Sequence, residues 1–283
     1  MKGVILAAGY GTRFLPITKT IPKEMLPLGT RPTIDYVVQE FLDSGIRDIL
    51  LITSRRKKVL EDYFDREPEL EEVFRRERKR AQLERIAPLE ALLYFVRQRQ
   101  MSGTGDAVLL VRDFAGQEPF VVAFPDDILI SGPPLAQQLI EVHQRTGGSV
   151  IALEERPPGE DISRYGVAAI EGPLPAPRVT SVVEKPPRGE EPSRLISVGR
   201  YLLAPAVFSI LEEERRAHPG GEFFLTGALD HLARAGQVTG CVYRGERLDT
   251  GEPQGYYQAL VRFILNDPEQ GPAFREFLRT LVR

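Results

Sequence analysis

A few short stretches of this chain carry residues able to grip anions or a cation. Gly9-Tyr10-Gly11-Thr12-Arg13 follows an apolar run, and Lys23 stands a short way beyond it. Glycine lets a backbone turn sharply and lets its N–H groups approach a bound anion closely. With Arg13 and Lys23 beside it, such a loop makes a receptor for a polyphosphate. The plainer alternative is a strand-to-turn corner with two surface cations. Spacing excludes two familiar motifs. There is no Gly-x-x-x-x-Gly-Lys-Ser/Thr loop, and Phe14 stands where the third glycine of Gly-x-Gly-x-x-Gly would be. Asp126-Asp127 ends a second apolar run. A carboxylate there suits Mg²⁺, which prefers oxygen donors shared with substrate phosphates, or it caps a turn. Neighbours on a strand point to opposite faces, so only one of the two can enter a cleft. Asp249, in Arg247-Leu248-Asp249-Thr250-Gly251, and Glu184-Lys185-Pro186 are by themselves a turn and an exposed ion pair.

The elements that must position these residues follow from periodicity. Val4-Ile5-Leu6-Ala7-Ala8 reads as a strand buried on both faces. Ile34, Val37, Val38, Phe41 and Leu42 recur at helical spacing over 33–42, with Gly45 as a stop, and 48–53 is a second buried strand. Strand, helix and strand with short links predict an α/β fold with a doubly wound, mostly parallel sheet. Further strands are expected at 92–96, 120–124 and 149–153, with helices starting at 106 and spanning 135–145. Past about 160, short strands (166–170, 179–183, 196–203) are split by loops rich in Pro, Gly and charge, as in a mixed or antiparallel extension covering a site. Helices follow at 205–211 and 226–235, the second capped by Thr226 and stopped by Gly236, with a strand at 238–243. Helices at 255–265 and 273–282 are amphipathic, and Phe274, Phe277, Leu278, Leu281 and Val282 mark the buried face of the last. Residues 57–87 read as a long, charged helical insertion, either a solvated surface or an arm for oligomer contacts. No repeat or linker divides residues 1–283, so a single domain is expected. In an open α/β sheet, ligands sit beyond the carboxyl ends of the strands. That rule selects the Gly9–Arg13 loop, the 98–105 loop and Asp126.

Composition narrows the class. Apolar residues make up 42% and charged residues 27% of 283, as in a soluble globular protein. The net charge of −3 gives no basic field for nucleic acid or an anionic membrane. No apolar run approaches the ~20 residues that span a bilayer, and Leu6 leads into a loop rather than a signal-peptide core. One cysteine, Cys241, excludes an internal disulfide and a cysteine-cluster metal site, and the three histidines are scattered. A cytoplasmic location is expected.

Leu6-Ala7-Ala8-Gly9-Tyr10-Gly11-Thr12-Arg13-Phe14-Leu15-Pro16, followed by Pro22-Lys23-Glu24-Met25-Leu26-Pro27, resembles the two-part signature of the sugar-1-phosphate nucleotidylyltransferases, and the likeness spans nearly the whole chain. It implies a Rossmann-like nucleotidyltransferase fold with a sugar-binding half over about 160–250, Mg²⁺ as cofactor, and a homo-oligomer, dimer or tetramer. It implies Arg13, Lys23 and Lys185 as catalytic. It gives Asp126 and Asp249 as metal ligands, with Asp126 chosen over Asp127. Nucleotide contacts would come from Ala7, Ala8, Gly9, Gly11, Gln98 and Gly103, where the glutamine amide, both donor and acceptor, matches the imide edge of uracil or thymine. Gly166, Glu184, Lys185 and Gly199 would receive the sugar phosphate. The segment around 63–87 is similar to an insertion of the uridylyltransferase branch, which favours UTP over dTTP and a reaction with glucose 1-phosphate that yields UDP-glucose and pyrophosphate. A dTTP-dependent enzyme and a non-catalytic nucleotide-sugar-binding relative are the competing readings. Two departures lie near the sugar half. Gly227 replaces an acid after Leu225-Thr226, and Glu252-Pro253-Gln254-Gly255 replaces Asn-Lys-Leu-Gly.

Overall fold

The computed structural model describes residues 1–281. The strands are β1 (Lys2–Leu6), β2 (Pro27–Leu28), β3 (Arg31–Pro32), β4 (Asp48–Thr53), β5 (Leu92–Arg97), β6 (Phe120–Ala123), β7 (Asp127–Ile130), β8 (Ser149–Glu155), β9 (Gly166–Glu171), β10 (Arg178–Glu184), β11 (Leu195–Leu203), β12 (Val238–Val242) and β13 (Glu246–Asp249). The helices are α1 (Thr33–Asp43), α2 (Val59–Phe64), α3 (Pro68–Arg76), α4 (Arg80–Arg85), α5 (Thr104–Leu109), α6 (Arg112–Ala115), α7 (Leu135–Thr146), α8 (Ala206–Ala217), α9 (Leu225–Arg234), α10 (Pro253–Asn266) and α11 (Gly271–Leu281).

Alternation explains why the central strands read as unbroken apolar runs. Val4, Leu50, Ile52 and Val122 pack into a core on one face of the sheet. Ile5, Ile49, Leu51, Val121 and Ala123 pack into the core on the other. Both faces are covered, so both sets of alternating positions are apolar. Each such side chain, fully buried, contributes about 1.5–3 kcal/mol.

One nine-stranded sheet, ordered β5-β4-β1-β6-β11-β8-β12-β10-β9, carries strands of both halves. Its first four strands are parallel. β11 then runs antiparallel to β6 and to β8. β12 returns parallel to β8. The β9–β10 hairpin closes the far edge, with a single pairing of Ile196 to Val167 bridging back to β11. The α/β class expected from periodicity is therefore what folds, and the mixed extension continues the same sheet.

The seam at β6–β11 is pinned by a charge. Arg200 of β11 is fully buried and binds Glu40 of α1 side-on through the Nε–Nη2 edge, at 2.9 Å from Nη2 and 3.1 Å from Nε. The same guanidinium donates to the carbonyls of Phe124 and Asp127 at 3.0 and 2.9 Å. The turn bearing Asp126 is thus held from both halves. Losing one partner of such a pair strands the other and costs about 3–5 kcal/mol.

Three expectations need correction. Residues 57–87 form three short helices rather than a long helical run. Pro68 starts α3 because its missing N–H is harmless only in a first turn, and Arg78, at φ 56°, breaks the chain again before α4. Thr226 does not cap α9. Phe224 precedes the helix, no side chain caps it, and the Thr226 hydroxyl bonds elsewhere. The last helix keeps its amphipathic pattern without burying it. α11 packs on α10, yet Phe277 and Leu281 are 53% and 63% exposed. Val282, assigned to the same face, lies outside the described residues.

Candidate active site

The loop after β1 leaves the sheet gradually. The Ala7 N–H still donates to the Ile52 carbonyl at 2.8 Å, and Ala7 is fully buried. Its amide is therefore already committed, which leaves only its carbonyl for any further contact. Leu6, Ala8 and Gly9 border the cleft, and a Cβ on Gly9 would meet nothing within 4 Å. Gly11 sits at φ 68°, a conformation that glycine adopts without steric cost, and its carbonyl accepts from the Thr18 hydroxyl at 2.7 Å.

Lys23 comes from the second half of the signature. Its Nζ lies 2.5 Å from Asp126 Oδ2. Burial alone would lower the Lys23 pKa, but the Asp126 carboxylate, with Glu24, outweighs it and holds it above the usual lysine value. Asp126 shows the mirror effect: burial pushes it up, Lys23 prevails, and it lies below the usual carboxylate range. Beneath this pair, Lys57 binds Glu24 at 2.7 Å with both side chains buried. Arg13 is exposed and reaches to 3.5 Å from the Gly251 carbonyl.

The 98–105 loop is built on a clamp. Gln98 is buried and donates from Nε2 to the Gly103 carbonyl at 3.1 Å. Phe223 donates its N–H to the Ser102 carbonyl at 2.7 Å and accepts from the Gly105 N–H at 2.9 Å. A Cβ on Gly103, at φ 111°, would strike the Phe223 carbonyl. Only glycine fits there.

The two candidate metal carboxylates arrive through a β-ribbon. β13 pairs with β7, which places Asp249 opposite Asp127. Thr250 donates its N–H and hydroxyl to the Asp126 carbonyl at 2.8 and 2.9 Å. Asp126 and Asp127 do diverge: Asp127 is buried between the Gly199 N–H (2.8 Å) and Arg247 Nε (2.5 Å). Arg247 also reaches Asp249 at 3.3 Å. A Cβ placed on Gly251 would lie 2.8 Å from Asp126 Oδ2 and 3.1 Å from Asp249 Oδ1. Two carboxylates thus face one gap kept open by a glycine. Among the described residues no group of three or more His, Cys, Asp or Glu side chains could hold a metal. A pair of carboxylates suits Mg²⁺, which takes its remaining oxygens from water and phosphates.

Ala8, Gly9, Gly11, Arg13, Lys23, Gln98, Gly103, Asp126 and Lys185 line one cavity of about 680 Å³. Lys185, at φ 46°, sits with Nζ 4.5 Å from the centre of the Phe224 ring. A side chain in this left-handed region costs about 1–3 kcal/mol and is common at ligand sites. Glu184, Gly166 and Gly199 do not border that cavity. Glu184 pairs across the hairpin with Gly166. Gly199 sits in a β11 irregularity, and a Cβ there would press on Asp127 and Phe124. Its lack of a side chain therefore has a packing reason. Asp249 borders a second hollow of about 620 Å³, with Arg156, Arg164, Arg247 and Arg262. Those guanidiniums are already spent on Glu160, Glu252, Asp127 and Glu246. In the first cavity Arg13 makes only a 3.5 Å contact with a carbonyl and Lys185 only a 3.6 Å approach to Glu184.

Arg247 and Phe223 were not singled out from sequence. Arg247 lies two residues before Asp249 on one strand, hence on the same face, and that spacing was readable. The Phe223 clamp is a backbone contact over a long separation and leaves no local trace.

A strand-ended cleft with glycine loops, two cations and two converging carboxylates defines a nucleotidyl-transfer site, and the nucleotidyl transferase family model matches residues 2–264. The chain belongs to that family. Among its relatives, the UTP–glucose-1-phosphate uridylyltransferase of Staphylococcus epidermidis is 40% identical over 285 residues, covering 99% of this chain and 98% of that protein. A UTP-bound UGPase from Acinetobacter baumannii superposes with a TM-score of 0.88 at 33% identity, over 98% of each chain. A UDP-glucose pyrophosphorylase complexed with UDP-glucose gives 0.80 at 38% identity, over 93% of this chain and 97% of that one.

Proposed function

We propose that this protein transfers the uridylyl group of UTP to glucose 1-phosphate, forming UDP-glucose and releasing pyrophosphate. The observation that carries the reading is the gap at Gly251. Asp126 and Asp249 face it from the two strands at one end of a β-ribbon, and Asp126 lines the cavity with Lys23 and Gln98. The named relatives that bind UTP and UDP-glucose support UTP and glucose 1-phosphate as the substrates.

In this reading a phosphate oxygen of the sugar phosphate attacks the α-phosphorus of UTP. The new O–P bond forms as the bond to the β-phosphate oxygen breaks, and pyrophosphate carries off that electron pair. The nucleophile is already an anion, so no base is required. Catalysis consists of bringing two anions together and neutralising developing charge. Asp126 and Asp249 would hold Mg²⁺, whose charge offsets the phosphates when it is bound. Arg13 and Lys23 would receive the triphosphate, and Lys185 the sugar phosphate. Gly9, Gly11 and the backbone of Ala7 and Ala8 would border the nucleoside, with Gln98 and Gly103 on the uracil edge. Glu184, Gly166 and Gly199 would form the sugar side. We read the chain as one nucleotidyltransferase domain acting in the cytoplasm as a homo-oligomer.

Incubation with Mg²⁺, glucose 1-phosphate and each of UTP, dTTP, CTP, ATP and GTP tests this. Pyrophosphate release should be fastest with UTP. Release mainly with dTTP would overturn the base assignment, and none with any nucleotide would overturn the reaction.

A further inference from the structure

Thr226 is the second residue of α9, where a hydroxyl would ordinarily serve the helix backbone. Instead it donates to Glu184 Oε2 at 2.6 Å. That bond crosses from α9 to the end of β10. The hairpin register sets Glu184 opposite Gly166, and Glu184 Oε2 lies 3.5 Å from the position a Cβ would take on Gly166. The other carboxylate oxygen is 3.6 Å from Lys185 Nζ, too far for a direct hydrogen bond. Lys185 is turned over the Phe224 ring. Among these contacts, the Thr226 hydroxyl is the one that fixes the rotamer of Glu184.

We propose that Thr226 is a positioning residue for the sugar phosphate: it holds one oxygen of Glu184 so that the carboxylate stays beside Gly166 and accepts from the sugar hydroxyls. This rests on the reading of Glu184 given above. A glutamate side chain turns about several bonds, whereas threonine on a helix has few rotamers, so the stiff partner sets the flexible one. An ionised carboxylate is acceptor-only, so the hydroxyl is the donor, and the bond is charge-assisted. Without it, Glu184 is released to its sequence neighbour. Tightening of the present 3.6 Å ion pair with Lys185 into a direct hydrogen bond would then remove the acceptor from the sugar and the cation from its phosphate in one movement.

The test is steady-state kinetics on Thr226→Val, Thr226→Ser, Glu184→Gln and the Thr226→Val/Glu184→Gln double variant, with melting temperatures recorded for each. Thr226→Val keeps the shape and removes the donor. It should raise KM for glucose 1-phosphate about tenfold, as expected for one hydrogen bond to a charged group, and leave KM for UTP and the melting temperature unchanged. Thr226→Ser should restore the wild-type KM. The double variant should be no worse than Glu184→Gln alone, because Thr226 acts through Glu184. If Glu184→Gln leaves the sugar KM unchanged, the sugar role of Glu184 fails and this inference with it. If Glu184→Gln raises that KM while Thr226→Val does not, or if Thr226→Val raises both substrates' KM, the inference alone is overturned.

Discussion

Gly103 and Gly166 come from opposite halves of the molecule and are glycines for different reasons. Gly103 is locked: its φ is 111° and the Phe223 backbone occupies the space where a side chain would go. Gly166 is roomy: the nearest atom to an added Cβ is a carboxylate oxygen at 3.5 Å, an ordinary contact. The base side of the cleft is thus shaped by main chain against main chain. The Gly166 side is shaped by side chains: Glu184 is held by the Thr226 hydroxyl and Lys185 lies over the Phe224 ring. Main-chain shape is costly to alter, whereas a side-chain site can be retuned residue by residue. A substitution at Gly103 must therefore move backbone, whereas one at Gly166 need move only a side chain.

The sharpest break of this contrast lies on the seam between the halves. Asp126→Asn keeps the shape but removes a charge from the gap at Gly251, and turnover should fall by about a hundred- to a thousandfold with the fold intact by circular dichroism. Near-normal pyrophosphate release would remove Asp126 from its role. The two glycines test the contrast directly. Gly103→Ala forces strain and overpacking together, so it should destabilise by about 2–4 kcal/mol in urea unfolding and weaken UTP binding. Gly166→Ala should unfold like wild type and change only the sugar KM. Equal destabilisation by both would erase the distinction. The smallest effect concerns Glu214, whose carboxylate oxygen lies 2.8 Å from where a Cβ on Gly227 would be, so that it fills the space an acid at 227 would claim. Burial raises the Glu214 pKa, with His231 opposing and Asp230 and Glu213 adding. A raised carboxyl favours the folded state fully below the ordinary glutamate value of about 4.3, and that advantage is lost as pH rises through the folded-state value. Glu214→Gln should therefore gain on wild type at pH 7–8, by no more than about 0.5 kcal/mol because the group is only half-buried and solvent screens it, and gain nothing below about pH 4. Melting curves against pH would show it, and a loss at pH 8 would reverse the sign.

The same contrast governs what could be read before folding. β1, α1, β4 and β6 announce themselves through apolar runs and helical spacing, because local patterns follow from burial on one or two faces. The rule that ligands sit at strand ends selects the Gly9–Arg13 loop, the 98–105 loop and Asp126. The sugar side was legible only through resemblance, since Glu184, Thr226 and Gly166 meet across three separate elements. Thr226 read as a cap because local sequence offers a hydroxyl at a helix start the backbone as its partner; a carboxylate on a distant strand won instead. The face of α11 was misjudged because amphipathic spacing shows which side is apolar, not what covers it.

The antiparallel strand at the centre of the sheet also matters before the chain is complete. During synthesis β6 leaves the ribosome well ahead of β11, its neighbour on that side. Until residues 195–203 emerge, the parallel half carries an open edge of backbone donors and acceptors in the middle of what will become a continuous sheet, the kind of edge that recruits foreign strands. A nascent chain halted near residue 160 should be cleaved readily by protease and one halted past residue 250 should resist it. The molecule is therefore not assembled as a finished nucleotide module to which a sugar module is added. Its early half waits for a strand made late.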